Sequence, residues 1–222
     1  MGLIQSKSNL SKAKPGERGN SILEFGIVAP FMVMSLLGVV SIGLTLGRAL
    51  QVNQVVRDTG HMFFDGVDFS VTANQNIVGR LSYGMGLASD ALGTINTSGN
   101  GVVILTQVIE VGANECSMAN LAANTSACPN LGSLVIEKRI VIGNSSLRTS
   151  AFGTPTSSLL LSDGSITPAN YCTNASVVVP TTSVAASLSL SADQYSFIVE
   201  DYFVTPSLSG FLGDSAYAYV MM

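Results

Sequence analysis

Cys116, Cys128 and Cys172 are the chain's three thiols, His61 is its one imidazole, and Glu24 is a carboxylate set at the head of a long uncharged stretch. Three thiols suit a disulfide or a metal site. Cys116 and Cys128 bracket the Asn-, Ala- and Ser-rich loop Ser117 to Ala127 between two expected strands, so a local disulfide is the favoured pairing. Cys172 is then left over: it stays free or displaces either partner, and three unpaired thiols are the other reading. All three lie beyond the uncharged stretch, in keeping with an oxidising compartment. No metal site is expected, because there is no C-x-x-C spacing and His61 lies near an apolar stripe, where packing or solvation is its commoner fate.

Glu24 poses a sharper problem. A carboxylate deep in a bilayer costs up to ~2.5 to 3.5 kcal/mol, so an acid at the membrane edge either snorkels toward headgroups or is matched by a cation. A cut after Gly19 would free an amine on Asn20, four residues and one helical turn from Glu24 and of opposite charge. That pairing, within or between subunits, would neutralise the acid.

The element that positions Glu24 is the run Phe25 to Gly47, 23 residues without a charge. As a helix it is about 35 Å long, enough to cross a hydrocarbon layer of ~30 Å with some tilt. Residues 1–19 carry Lys7, Lys12, Lys14 and Arg18 against one acid, Glu17, whereas the rest of the chain holds six Lys/Arg and 13 Asp/Glu. Cationic flanks stay in the cytoplasm, so the leader is expected inside and the acidic remainder outside, with Arg48 and Arg57 opposing this slightly. A secretory signal peptide has a shorter apolar region followed by a small-x-small site. Here such sites, around Ser41 and Gly43, lie inside the run, so a retained anchor is expected. Pro30 removes one helix hydrogen bond, which membrane helices tolerate, and Gly38, Gly43 and Gly47 suit close approach of a partner helix.

The string Arg18-Gly19-Asn20-Ser21-Ile22-Leu23-Glu24-Phe25-Gly26-Ile27-Val28-Ala29-Pro30 resembles the processing site of type IV prepilins, and specifically the TadE-like minor pseudopilins of tight-adherence (Tad) pili. A Glu-Phe pair followed by a proline near the start of the span is that family's most recognisable feature. The end of the chain, Glu200-Asp201-Tyr202-Phe203-Val204-Thr205-Pro206, then Gly213 and Ala216 to Met222, is similar to the family's closing strands. The likeness covers about thirty residues at the N-terminus and, loosely, the last twenty-five. It implies cleavage between Gly19 and Asn20 by a membrane prepilin peptidase, with Glu24, Phe25 and Pro30 registering the subunit against other pilus or pseudopilin subunits. It also implies a single-pass protein of the bacterial inner membrane, N-terminus cytoplasmic and C-terminal domain extracytoplasmic, able to enter a surface pilus. Phe25 replaces the Tyr of major Tad pilins and the ectodomain is far larger than theirs, which argues against a main fibre subunit.

Past the run, Val52, Val55, Val56, Thr59, Met62, Phe63, Gly66 and Val67 recur at spacings of three and four, which predicts one buried stripe on a helix over Arg48 to Phe69. A second helix is expected after a break at Ser70 to Asn74, with Asn74 as N-cap, a face of Ile77, Leu81, Met85, Ala88, Ala91 and Leu92, and a stop at Gly93. From Asn96 the composition turns to Ser, Thr, Val, Gly and Asn. Strands are predicted at Val102 to Val111, Leu134 to Ile142, Ser176 to Val184, Tyr195 to Val204 and Ala216 to Met222, separated by turns at Ser98-Gly99-Asn100-Gly101, Ile142-Gly143-Asn144, Ser162-Asp163-Gly164 and Thr205-Pro206. The expected fold is α+β: a transmembrane helix extending into a helical stretch that packs on an antiparallel sheet. The divisions are a basic cytoplasmic leader (1–19), the span (20–47), membrane-proximal helices (48–95) and a β-rich extracytoplasmic domain (96–222).

Enzymatic signals are thin, and no cofactor or small-molecule substrate is expected. Gly84-Met85-Gly86 lacks the third glycine and preceding strand of a dinucleotide loop. Asp163, Ser165 and Thr167 resemble the metal-adhesion motif of von Willebrand A domains, without the alternating strands and helices that fold requires. Beyond the leader, the N-x-S sequons at Asn96, Asn124, Asn144 and Asn174 mark surface loops. Acidity outside the leader argues against nucleic acid as a partner. Two functions stay open: a pseudopilin or anchored pilus-assembly protein, and a single-pass surface domain that binds an extracellular ligand without entering a fibre.

Overall fold

The computed structural model describes residues 17–183, 188–204 and 215–222, with side chains from residue 22 onward. The leader cations Lys7, Lys12 and Lys14, the expected turn at Thr205-Pro206 and Gly213 therefore lie outside the described residues. Two compact units divide the chain, Met1–Leu44 and Thr45–Met222.

In the first unit the described residues are helical. They belong to α1 (Glu17–Phe64), which begins two residues before the expected end of the leader and contains Pro30. This is the one helix among the described residues long and apolar enough to cross a membrane.

The second unit is built on a four-stranded antiparallel sheet in the order β2-β1-β3-β4. Its strands are β1 (Gly101–Glu110), β2 (Leu134–Gly143), β3 (Tyr195–Val204) and β4 (Ser215–Met221), each within one residue of the corresponding predicted strand. β1 and β3 lie at the centre. β1 pairs Val103 with Asp201 and Ile104 with Glu200, and β3 pairs Asp201 with Ala218. Nearly every β1 residue is buried, which is why its sequence is a continuous apolar run rather than an alternation.

One sheet face receives the end of α1. Val52, Val55, Val56 and Phe63 pack with Val103, Leu105, Val199 and Phe203 in one cluster. Val, Thr and Phe at spacings of three and four put these side chains on one stripe, and burying a Val or Phe is worth about 1.5 to 3 kcal/mol. Gly66 and Val67, placed by the sequence on the same helix, fall beyond its end at Phe64. The second cluster joins Val108, Ile136 and Ile198 to two short helices, α3 (Ala113–Met118) and α4 (Pro168–Thr173). Since Ile198 and Val199 are consecutive on β3, the two clusters take opposite faces.

Two further elements differ from expectation. The second helix, α2 (Thr72–Leu81), is shorter than its apolar period implied, and its N-cap is Val71 rather than Asn74. Asn74 instead donates its side-chain amide to the Asp68 carbonyl at 2.7 Å. Gly84 and Gly86, both at φ +85°, end the helical path, and Leu92 is left 71 % exposed. The Val-rich segment predicted as a strand from Ser176 is a 3-10 turn at Ala175–Val177 started by Asn174, whose side chain accepts from Ser176 N. Among the described residues it meets the sheet at a bridge between Val178 and Val135, and Val184 lies outside them. Together with Arg139 N donating to Gly164 O and Ile166 N to Glu137 O, both at 2.7 Å, that bridge covers the outer edge of β2, which would otherwise be open to pairing with another chain.

Candidate functional site

Along the first part of α1 the apolar side chains are exposed on every side: Phe25 is 70 %, Phe31 70 % and Leu36 65 % exposed. Glu24 and Pro30 are exposed as well. Gly19 and Asn20 fall in the helix's first turn. Beside Gly26, Gly38, Gly43 and Gly47 there is open space where a Cβ would stand, so each leaves room for another helix backbone. Glu24 thus heads a helix whose apolar surface is turned outward, away from any core of its own. Glu24, Phe25 and Pro30 belong to the first unit and the three cysteines to the second.

The cysteines form their own site. Cys116, in α3, is bridged to Cys128, with the two Cα atoms 6.0 Å apart. Cys172, in α4, is a buried free thiol. All three sulfurs lie within 4.8 Å of one another. Beside them the Tyr171 hydroxyl donates to the buried Glu115 carboxylate, and burial, followed by Glu115, pushes the Tyr171 hydroxyl up. Asn130 clamps the segment after Cys128 onto α4, donating from its amide to Tyr171 O at 2.8 Å and Asn174 O at 2.9 Å. Glu137 is also held above the ordinary carboxylate range, by burial first and by Glu115 second. His61 is exposed and lines a separate groove with Arg57 and Tyr219.

A buried polar cluster on β3 was missed by the sequence reading. Glu200 and Asp201 are consecutive in an apolar strand, so they face opposite ways. Glu200 accepts from Ala151 N at 2.9 Å, from the Ser150 hydroxyl and from the Tyr217 hydroxyl at 2.9 Å. Arg148 stacks over the Tyr217 ring at 3.8 Å. Arg139, pushed down to about 10 by burial against the opposing charge of Glu200, donates to Gly153 O at 3.0 Å. These contacts strap the segment 144–153 to the sheet. Asp201 turns toward the α1 side with Val199 and Phe203. It is fully buried and both its oxygens lack a partner among the described residues, so burial raises its carboxyl well above the ordinary value of 3.8. The signal available in sequence was the Glu200-Asp201 pair itself, two acids inside a strand that must be buried.

The other motifs resolve into turns. In each sequon among the described residues the Asn side chain accepts from the backbone N–H of the serine two residues on: Asn96 from Ser98, Asn124 from Ser126 and Asn144 from Ser146, each at 3.1 Å, and Asn174 from Ser176 at 2.9 Å. Asp163 does the same with Ser165, accepting from its N at 3.0 Å and its hydroxyl at 2.7 Å. N-x-S and D-x-S are here Asx-turns, in which a short polar side chain replaces a backbone acceptor. A cleft of about 380 Å³, lined by Arg48, Gln51, Tyr83, Met85, Asn100 and Phe203 among others, presents one charged side chain and no acid–base pair among the described residues.

No protein-family model, curated protein or solved structure matches this chain.

Proposed function

We propose that this chain is a TadE-like pseudopilin or membrane-anchored assembly protein of a Tad-type pilus or secretion apparatus. The uncharged part of α1 anchors it once in the inner membrane. Residues 1–19 stay in the cytoplasm and are removed after Gly19 by a prepilin peptidase, and the unit from Thr45 onward lies outside. The observation that carries this reading is Glu24, a single acid set directly before 23 uncharged residues whose side chains are exposed. An exposed apolar helix of this length is at its lowest free energy in lipid, and its carboxylate is then best matched by the cationic amine of a neighbouring mature subunit. Phe25 and Pro30 fix the register of that contact, and Gly38, Gly43 and Gly47 admit the neighbour's helix.

The test is Glu24→Ala in a piliated host. Insertion into the membrane, read by resistance to carbonate extraction, is expected to be normal, while incorporation into the pilus or its base is lost. Normal incorporation of the variant contradicts the role given to Glu24.

A further inference from the structure

We propose that Cys172 is an internal nucleophile for the Cys116–Cys128 bridge, so that the three sulfurs form one exchangeable cluster and the bridge moves among them without an outside oxidant or reductant. Two observations carry this. The three sulfurs lie within 4.8 Å of one another, and all three residues are 0 % exposed. An external thiol is therefore shut out of the bridge, whereas Cys172 already stands beside it. The backbone holds them there: Asn130 N donates to Cys172 O at 3.1 Å and Leu131 N to Cys128 O at 3.0 Å, which sets the strand-entry segment against α4.

The step balances within the protein. The Cys172 thiol gives up its proton and its sulfur attacks the sulfur of Cys128 or Cys116. A new S–S bond forms as the old one breaks, and the displaced sulfur leaves as a thiolate that takes up a proton. One disulfide and one thiol remain, so nothing is oxidised or reduced overall. The product ties α4 to α3 or to the segment before β2. It closes a longer loop than the original bridge, which in the chain-entropy account restrains the unfolded chain more.

The charge around the cluster sets its pace. Only the thiolate attacks. Glu115 of α3 is the charged group that acts on Cys172, after burial, and both hold its thiol above the ordinary range. Glu137 of β2 bears on the neighbouring Tyr171 with the same sign. Exchange is accordingly slow at neutral pH and speeds up about tenfold per pH unit until the thiol ionises.

The full chain in detergent, with no added thiol, is held at neutral pH and at about pH 9, quenched in acid, labelled with a maleimide in acidic denaturant and mapped by peptide mass spectrometry. The expected result is label at Cys172 alone at the start, spreading to Cys116 or Cys128 faster at the higher pH and at a rate independent of protein concentration. Glu115→Gln spreads the label faster at equal pH, and Cys172→Ser keeps the Cys116–Cys128 bridge unlabelled throughout. Label confined to Cys172 at every pH, or spreading that scales with protein concentration, overturns the proposal.

Discussion

A Cβ on Gly60 of α1 would stand 2.9 Å from Met222 Cε and 2.9 Å from Val220 Cγ1, so the helix backbone and the end of β4 meet across this one glycine. The methionine is flexible and yields to a methyl group, the β-branched Val220 gives only a little, and a branched side chain has nowhere to go. Gly60→Ala is expected to change stability by less than about 1 kcal/mol, because better helix propensity offsets the contact. Gly60→Leu is expected to cost about 1 to 3 kcal/mol through overpacking. Thermal melts in detergent, followed by tyrosine near-UV circular dichroism since the chain has no tryptophan, check both. Equal melting of the two variants would show that α1 does not dock on β4 here.

Asp201 makes stability depend on pH with a definite sign. Its folded carboxyl is raised above 3.8 by burial, so the folded protein holds a proton that the unfolded chain has lost. This contribution is complete below the unfolded value and declines as pH rises above it, until the folded group ionises. Glu137 contributes with the same sign and remains in the variant, so the difference between two curves isolates Asp201. The Asp201→Asn melting curve is expected to fall less steeply above pH 4 than the wild-type curve. Parallel curves would contradict the burial of this group.

Glu200 is the reverse case, a buried acid fully met. Removing it leaves the Ser150 hydroxyl, the Ala151 N–H and the Tyr217 hydroxyl without their acceptor. Glu200→Ala is therefore expected to cost about 3 to 5 kcal/mol, and Glu200→Gln, which keeps an acceptor oxygen, clearly less. Protease sensitivity is expected to rise first in the segment 144–153, which Glu200 fastens, and limited proteolysis with mass mapping reads this. Cleavage elsewhere with that segment intact would show that Glu200 does not fasten it.

The parts of the fold legible in sequence were those written locally. β1, β2, β3 and β4 are apolar runs bounded by turns, and the Val52–Val55–Val56–Thr59–Phe63 stripe repeats at helical spacing, so each was readable from its own residues. The Cys116–Cys128 pairing was legible because only a short loop separates them. The length of α2 was not, since Met85, Ala88 and Leu92 continue the helical period on paper while Gly84 and Gly86 turn the backbone left-handed. Nor was the 3-10 turn at Ala175–Val177, because Pro180 and the Asn174 side chain override the strand preference of a valine run. The Glu200 site was illegible for a different reason. Its partners Ser150 and Tyr217 lie 50 and 17 residues away, and a single sequence does not say which distant hydroxyl meets which carboxylate.

The intact mass of the protein extracted from the membranes of cells that carry a prepilin peptidase reads the anchor and the processing at Gly19 together. The expected mass is that of a chain that starts at Asn20 and still contains Phe25 to Gly47. A protein recovered from the soluble fraction without that stretch would contradict the anchor itself, and a membrane-bound chain with its leader intact would contradict processing at Gly19 and favour an anchored surface domain.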